Sequence, residues 1–238
     1  MAVSAANLTS GVDADGNSSS TTASISPTGN RLILATVVSR TGITANPNQP
    51  TLSGNGLTWV AIGSVIHDDA GSTRRRVTLF RAMVASPSAG AVTIDFGGQN
   101  QTNVVWVIDE CAGVDTSGTN GSGAVVQSAT NVDTSGTGTT LTVTLAAFGS
   151  ADNATYGAFG DTDATVVTTA GTGFAIVGEE TTSTAVGATT EFLVSNDTTV
   201  NMTWASGLQL GGIAVEIKAA AEAGVTIRPQ KTLLGVGV

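Results

Sequence analysis

The residue types that carry most side-chain chemistry are almost missing from this chain. It has one histidine (His67), one cysteine (Cys111) and one tyrosine (Tyr156). His67 opens the run His67-Asp68-Asp69, and an imidazole beside two carboxylates has the ingredients of a general base or a metal site. A metal needs three or four converging donors, and a hydrolytic triad needs a nucleophile as well as a base and an acid. No nucleophile follows from the spacing, so this run is expected as a solvated turn between two strands. Asp13-Ala14-Asp15-Gly16-Asn17 begins like a calcium loop, but the twelfth position counted from Asp13 is Ser24, where an EF-hand places Glu. Asp161-Thr162-Asp163 sets two carboxylates in a loop, with calcium between loops as the alternative to a plain turn. Loop acids could also assemble a glycosidase pair, yet no two are singled out. Cys111 closes the apolar run Val104-Val105-Trp106-Val107-Ile108-Asp109-Glu110-Cys111. It is expected to be buried and inert, because reactive thiols need an exposed, electropositive setting.

The composition points the same way. Charged residues are 11% of the chain, against roughly 25% in an average soluble domain. Active sites depend on titratable groups tuned by neighbours, so a chain poor in them is expected to work through shape and contact surfaces. A hydrophobic content of 41% argues against disorder, and 238 residues suit one all-β domain. A lone cysteine excludes an intramolecular disulfide. The first residues lack the basic and apolar regions of a secretory signal, and no apolar run reaches the ~20 residues of a membrane span. The net charge is −9, and residues 82–217 hold 13 carboxylates without a Lys or Arg. That disfavours nucleic acid, whose phosphates are met by Lys and Arg.

The positions for these residues must come from strands. Thr and Val dominate, and β-branched residues suit a pleated sheet. Continuous apolar runs at 31–39 and 103–111 predict buried central strands. Alternation at 75–84, 91–96 and 139–146 predicts strands with one buried face; in the last, Leu141, Val143 and Leu145 oppose Thr140, Thr142 and Thr144. Further strands are expected at 58–66, 154–160, 173–178, 188–193, 200–205 and 211–218. Gly and Asn clusters such as Ser53-Gly54-Asn55-Gly56 supply the turns. The repeated hexapeptide Val-Asp-Thr-Ser-Gly-Thr at 114–119 and 132–137 is read as two similar turns around a long loop or hairpin. Trp59, Trp106 and Trp204 sit in apolar strands and are expected in the core. Short, evenly spaced strands without βαβ alternation predict an all-β fold, an antiparallel β-sandwich with a jelly-roll-like order.

Three divisions follow: a loosely ordered N-terminal arm at 1–22, a sandwich domain at 23–218, and a short helical turn with an extended C-terminal tail at 219–238. The tail is apolar and β-prone and carries two cations. A segment of this kind can add a strand to a neighbour's sheet edge; the alternative is a last strand folding back on its own domain. Candidate assembly contacts are the basic strand residues Arg74, Arg75, Arg76 and Arg81 and the tail residues Ile227, Arg228, Lys231, Leu233, Leu234 and Val236. No catalytic residue, cofactor or metal ligand is assigned.

Four stretches together resemble a known family: Asn30-Arg31-Leu32-Ile33-Leu34, Ser53-Gly54-Asn55-Gly56-Leu57-Thr58-Trp59, Arg76-Val77-Thr78-Leu79-Phe80-Arg81-Ala82, and Val104-Val105-Trp106 with Gly113-Val114-Asp115. They look like a β-sandwich domain of virion structural proteins of tailed bacteriophages, with relatives in bacterial surface-type proteins. The resemblance covers residues 23–218, rests on packing and turn residues, and transfers no functional residue. It implies a non-enzymatic capsid decoration (cement) protein on the exterior of the virion, made in the host cytoplasm. Its partners would be other copies of itself, a trimer being the simplest guess, and the major capsid protein, with no nucleic acid or membrane. The alternative is a receptor- or carbohydrate-binding module of a fibre, spike or adhesin, using loops 115–138 and 161–172.

Overall fold

A computed structural model of the chain describes residues 2–68, 73–163, 167–182 and 185–221. Among them all regular structure is strand. The first half of the chain supplies β1 (Ser4–Asp13), β2 (Ser19–Thr21), β3 (Leu32–Thr41), β4 (Thr51–Ser53), β5 (Val60–Asp68), β6 (Arg74–Ala82), β7 (Thr93–Asp95) and β8 (Asn103–Ala112). The second half supplies β9 (Val125–Thr144), β10 (Ala154–Asp161), β11 (Thr168–Ala170), β12 (Ala175–Thr181), β13 (Gly187–Leu193) and β14 (Thr199–Ile217). One sheet has the order β1-β8-β3-β6-β5 and a second the order β11-β14-β10-β13-β12, with β9 also on β14. A small third sheet is β2-β7-β4. Every pairing is antiparallel. The expected antiparallel sandwich is present, and its two main sheets come from successive halves of the chain.

The side-chain alternation of a strand shows how these sheets stack. On β8, Val105, Val107 and Cys111 join a core with Tyr156, Ala158, Ile213 and Val215 of the second sheet. The intervening Val104, Trp106 and Ile108 face the other way, into a core with Val92, Ile94 and Phe96 beneath the small sheet. β3 divides identically, Leu34 and Val38 to one core and Ile33, Ala35 and Val37 to the other. Burial on both faces explains why 31–39 and 103–111 read as unbroken apolar runs.

The second sheet is covered by its own strands. An extended 11-residue step spans roughly 36 Å, yet Asn131 Nδ2 donates to Thr142 O at 2.8 Å within β9. Gln127 and Ala146 meet in the same manner, at 3.0 Å. β9 therefore doubles back, and β14 turns with it, since their pairing is irregular at Thr203/Leu208 and Leu208/Leu210. The folded-back half places Leu141, Val143, Val200, Met202 and Trp204 over Phe159 and Ala214. The molecule is a stack of four layers with three apolar seams. Gly211 and Gly212 show how closely they lie. A Cβ on Gly211 would sit 2.9 Å from His67 and Val77 of the first sheet, and one on Gly212 would sit 2.9 Å from Phe159 and from Val143 of the flap.

Several expectations change. Residues 4–13, read as a loose arm, are an edge strand paired from Ser4↔Ala112 to Asp13↔Val104. Backbone pairing needs no apolar side chains, and Gly11 lies against the Trp106 ring, so a polar, small-residue segment serves. Residues 217–221 are not a helical turn. They stay extended because Asp115 N donates to Lys218 O (2.9 Å) and Ala220 N to Gly113 O (2.8 Å). The stretch 115–138 is a loop only up to β9, and 200–205 and 211–218 are the two ends of one strand, β14. The hexapeptide echo is a repeated turn. Asp115 Oδ1 accepts from Ser117 N (2.7 Å) and Asp133 Oδ1 from Ser135 N (2.8 Å), with Gly118 and Gly136 at φ 77° and 75°.

Because Gly212 sits between two layers, Gly212→Ala should lower the unfolding free energy by about 1–3 kcal/mol through overpacking. A denaturant titration reads this as a lower midpoint at unchanged slope. Gly149→Ala, with nothing within 4 Å of the new Cβ, should leave the midpoint in place. Equal midpoints for both variants would contradict close contact between flap and sheet.

Candidate functional site

The three singly represented reactive residues all lie inside the molecule. His67, Cys111 and Tyr156 are fully buried. This corrects the reading of His67-Asp68 as a solvated turn. His67 and Asp68 are the last residues of β5 and face the interior, where Gly211 leaves room for the imidazole; Asp69 lies outside the described residues. Burial, reinforced by the Arg75 guanidinium, pushes the His67 pKa down to about 3, so the ring is neutral at physiological pH. Burial pushes the Cys111 thiol up, helped by Asp109 and Glu110, which leaves it the inert core thiol expected. Tyr156 is likewise pushed up, first by burial and then by Asp109. Its hydroxyl donates to Asp109 Oδ2 at 2.7 Å. The same oxygen accepts from Thr190 Oγ1 at 2.7 Å, and Oδ1 accepts from Asn7 Nδ2 at 2.9 Å.

The other acids behave similarly. Asp161, expected in a loop, ends β10 and is buried, accepting from Trp204 Nε1 at 3.0 Å. Its pKa is raised to about 6, chiefly by burial. Glu191 is fully buried, with Oε2 accepting from Gly171 N at 2.9 Å, and burial raises it to about 7. Trp106 and Trp204 are core residues, and Trp59 is partly buried against the small-sheet seam. Among the described residues no three His, Cys, Asp or Glu side chains converge as metal ligands, and no helix is long and apolar enough to cross a membrane.

The basic strand does not form an open patch. Arg75 is buried, ion-paired with Asp68, and its Nε donates to Ala185 O at 2.8 Å. Arg76 is half-buried, with Nε on Pro47 O (2.7 Å) and an Nη on Ser64 Oγ (2.8 Å). Arg74 donates to Asn46 Oδ1 (3.0 Å), and Arg81 to the carbonyls of Thr119 (3.3 Å) and Asn120 (3.0 Å). All four guanidiniums are thus bonded within their own fold. The tail candidates Ile227, Arg228, Lys231, Leu233, Leu234 and Val236 lie outside the described residues.

What the sequence reading missed is an open groove of about 700 Å³, lined in part by Ala219, Ala220 and Ala221, where the described chain ends. Val126 and Val194 project into it, each about half exposed. Its charged lining is acidic: Asp115, Asp152 and Glu216, against Lys218 alone. Glu216 is fully buried and held by two amides, Asn153 Nδ2 on Oε1 (2.5 Å) and Gln127 Nε2 on Oε2 (2.6 Å). Asp115 is bonded to Lys218 Nζ at 2.6 Å, and this hydrogen bond is the largest influence holding its carboxyl below the usual range. The signal was present in one place. Lys218 is the first cation after the long cation-free stretch, and a lone cation there asks for a named partner.

Compared with protein-family models, curated proteins and solved structures, the chain matches none.

Glu191 and Asp161 carry folded pKa values of about 7 and about 6, above the ordinary 4.5 and 3.8. A raised carboxyl contributes stability in full below its ordinary pKa and loses it as pH rises through the folded value. Unfolding free energy should therefore decline between pH ~4 and ~8. Glu191→Gln keeps an acceptor for Gly171 N and removes the charge. It should be more stable than wild type by about 2–3 kcal/mol at pH 8 and equal to it at pH 4. A gain of the same size at both pH values would contradict the assignment.

Proposed function

We propose that this chain is a non-enzymatic structural protein of a virion, a decoration protein that stabilises a tailed-phage head through many-copy contacts. The observation that carries the reading is the sealing of reactive groups: the imidazole, the thiol and the phenol are each fully buried. The open groove adds no reactive pair, because Asp115 is tied to Lys218 and Glu216 to two amides. A body so packed suits a rigid part that must hold its shape. The resemblance of 23–218 to virion sandwich domains supports the same class, as does a basic, apolar segment following the last described residue. Many weak contacts on one particle multiply, so no single interface has to be strong.

Adding the purified protein to tailed-phage heads stripped of decoration should give saturable binding in a fixed copy number per head. Deleting 225–238 should lower the occupancy. An absence of head binding together with specific hits on a glycan array would replace this reading with that of a carbohydrate-binding module.

A further inference from the structure

The groove beside Ala219, Ala220 and Ala221 has the properties of a peptide seat, and the sequence contains one peptide that matches it. The half-exposed Val126 and Val194 give it an apolar wall that water covers at a cost. Three carboxylates against one ammonium make its lining net negative. Residues 225–238 read Val-Thr-Ile-Arg-Pro-Gln-Lys-Thr-Leu-Leu-Gly-Val-Gly-Val, with six large apolar residues, two cations and no acid. The segment follows the groove's own wall after only Glu222, Ala223 and Gly224. Extended, its 14 residues reach ~46–50 Å, while a ten-residue strand of the body such as β8 covers about 33 Å. Extended, a segment of that reach would be long enough to leave the groove where it starts and enter the groove of an adjacent copy.

We propose that this groove receives residues 225–238 of a second copy of the chain, with Arg228 and Lys231 against its acidic lining and the aliphatic side chains against Val126 and Val194. The inference rests on the assembly reading above and names the partner of that assembly. The contact is head-to-tail: each copy presents one groove and one segment, so repetition gives a closed ring or an open filament. Opposite charge on the two parts also disfavours groove-to-groove and segment-to-segment pairing.

The test uses full-length chains, in which the native Cys111 is buried. One carries Val194→Cys and the other Leu233→Cys. Mixed and treated with a short bismaleimide, they should yield a mixed dimer on a denaturing gel. The yield should fall roughly tenfold or more when the second chain also carries Arg228→Glu and Lys231→Glu. A chain bearing both cysteines that closes only on itself would overturn the proposal in favour of an intramolecular seat. No cross-link in either format would overturn it as well. Head binding is measured in parallel. Decoration without the cross-link removes the groove inference and leaves the structural role standing, whereas the cross-link without decoration retains a self-associating protein and removes the virion role.

Discussion

The carboxylate of Asp109 ties the two main sheets together. It sits on β8, in the seam between them, and collects three donors: Asn7 from β1, Tyr156 from β10 and Thr190 from β13. An isolated buried charge is costly, and hydrogen bonds to the charged form offset part of that cost. Here burial still dominates and keeps the carboxyl above its usual pKa. Directional bonds of this kind fix how one sheet sits on the other, which apolar contacts alone leave loosely defined. Once that relation is set, the rest is packing. Gly178 lies against Val107 and Asn7, and Gly160 against Val38 and Val77. Each is a point where one backbone approaches the opposite layer closely enough to exclude a side chain.

Such stacking accounts for a composition that reads as weak on its surface. Three seams filled chiefly by Val, Leu and Ile, with a few buried aromatics and with glycines at the closest approaches, need few bulky aromatics. The central strands were legible because burial on both faces leaves an unbroken apolar run, and the flap strand at 139–146 because one buried face leaves alternation. The first half of β9 was not legible. Its side chains alternate only between half-buried and exposed, and its place is set by backbone pairing with β14. β1 was missed for the same reason. His67 was misplaced because a polar triplet beside a hairpin usually faces water, and only the glycine opposite, on another strand, makes an interior site for an imidazole. Tertiary partners distant in sequence decide such positions, and local pattern carries no trace of them.

Charge followed a similar rule. The chain is strongly acidic, yet Asp68, Asp109, Glu110, Asp161, Glu191 and Glu216 are buried and serve as acceptors for interior donors. Glu110, for instance, takes Thr28 N at 2.7 Å and Arg31 at 3.2 Å. The net charge therefore overstates how acidic the outside is. The arginine run looked like a patch because four cations fall within eight positions, but strand alternation points Arg75 inward while Arg74 and Arg76 bond to loop acceptors near Asn46 and Pro47. A cluster along the sequence became four guanidiniums, each bonded to its own partners within the fold.

Both open sides of the sandwich are also guarded, which bears on how copies can meet. β1 runs beside β12, where Ser10 Oγ donates to Glu180 Oε2 at 3.2 Å. On the other side β5 runs beside β9, with Gly63 against Thr130 and Ile213. β-Bulges at Asn7/Thr9, Ala61/Gly63 and Ile176/Gly178 interrupt the outer strands β1, β5 and β12. Irregular edges of this kind resist the unspecific edge-to-edge pairing to which flat sheets are prone. The groove at Ala219–Ala221 differs from the edges in being concave, with an acidic and partly apolar lining, so a segment seated there would meet shape and charge as well as backbone hydrogen-bonding groups.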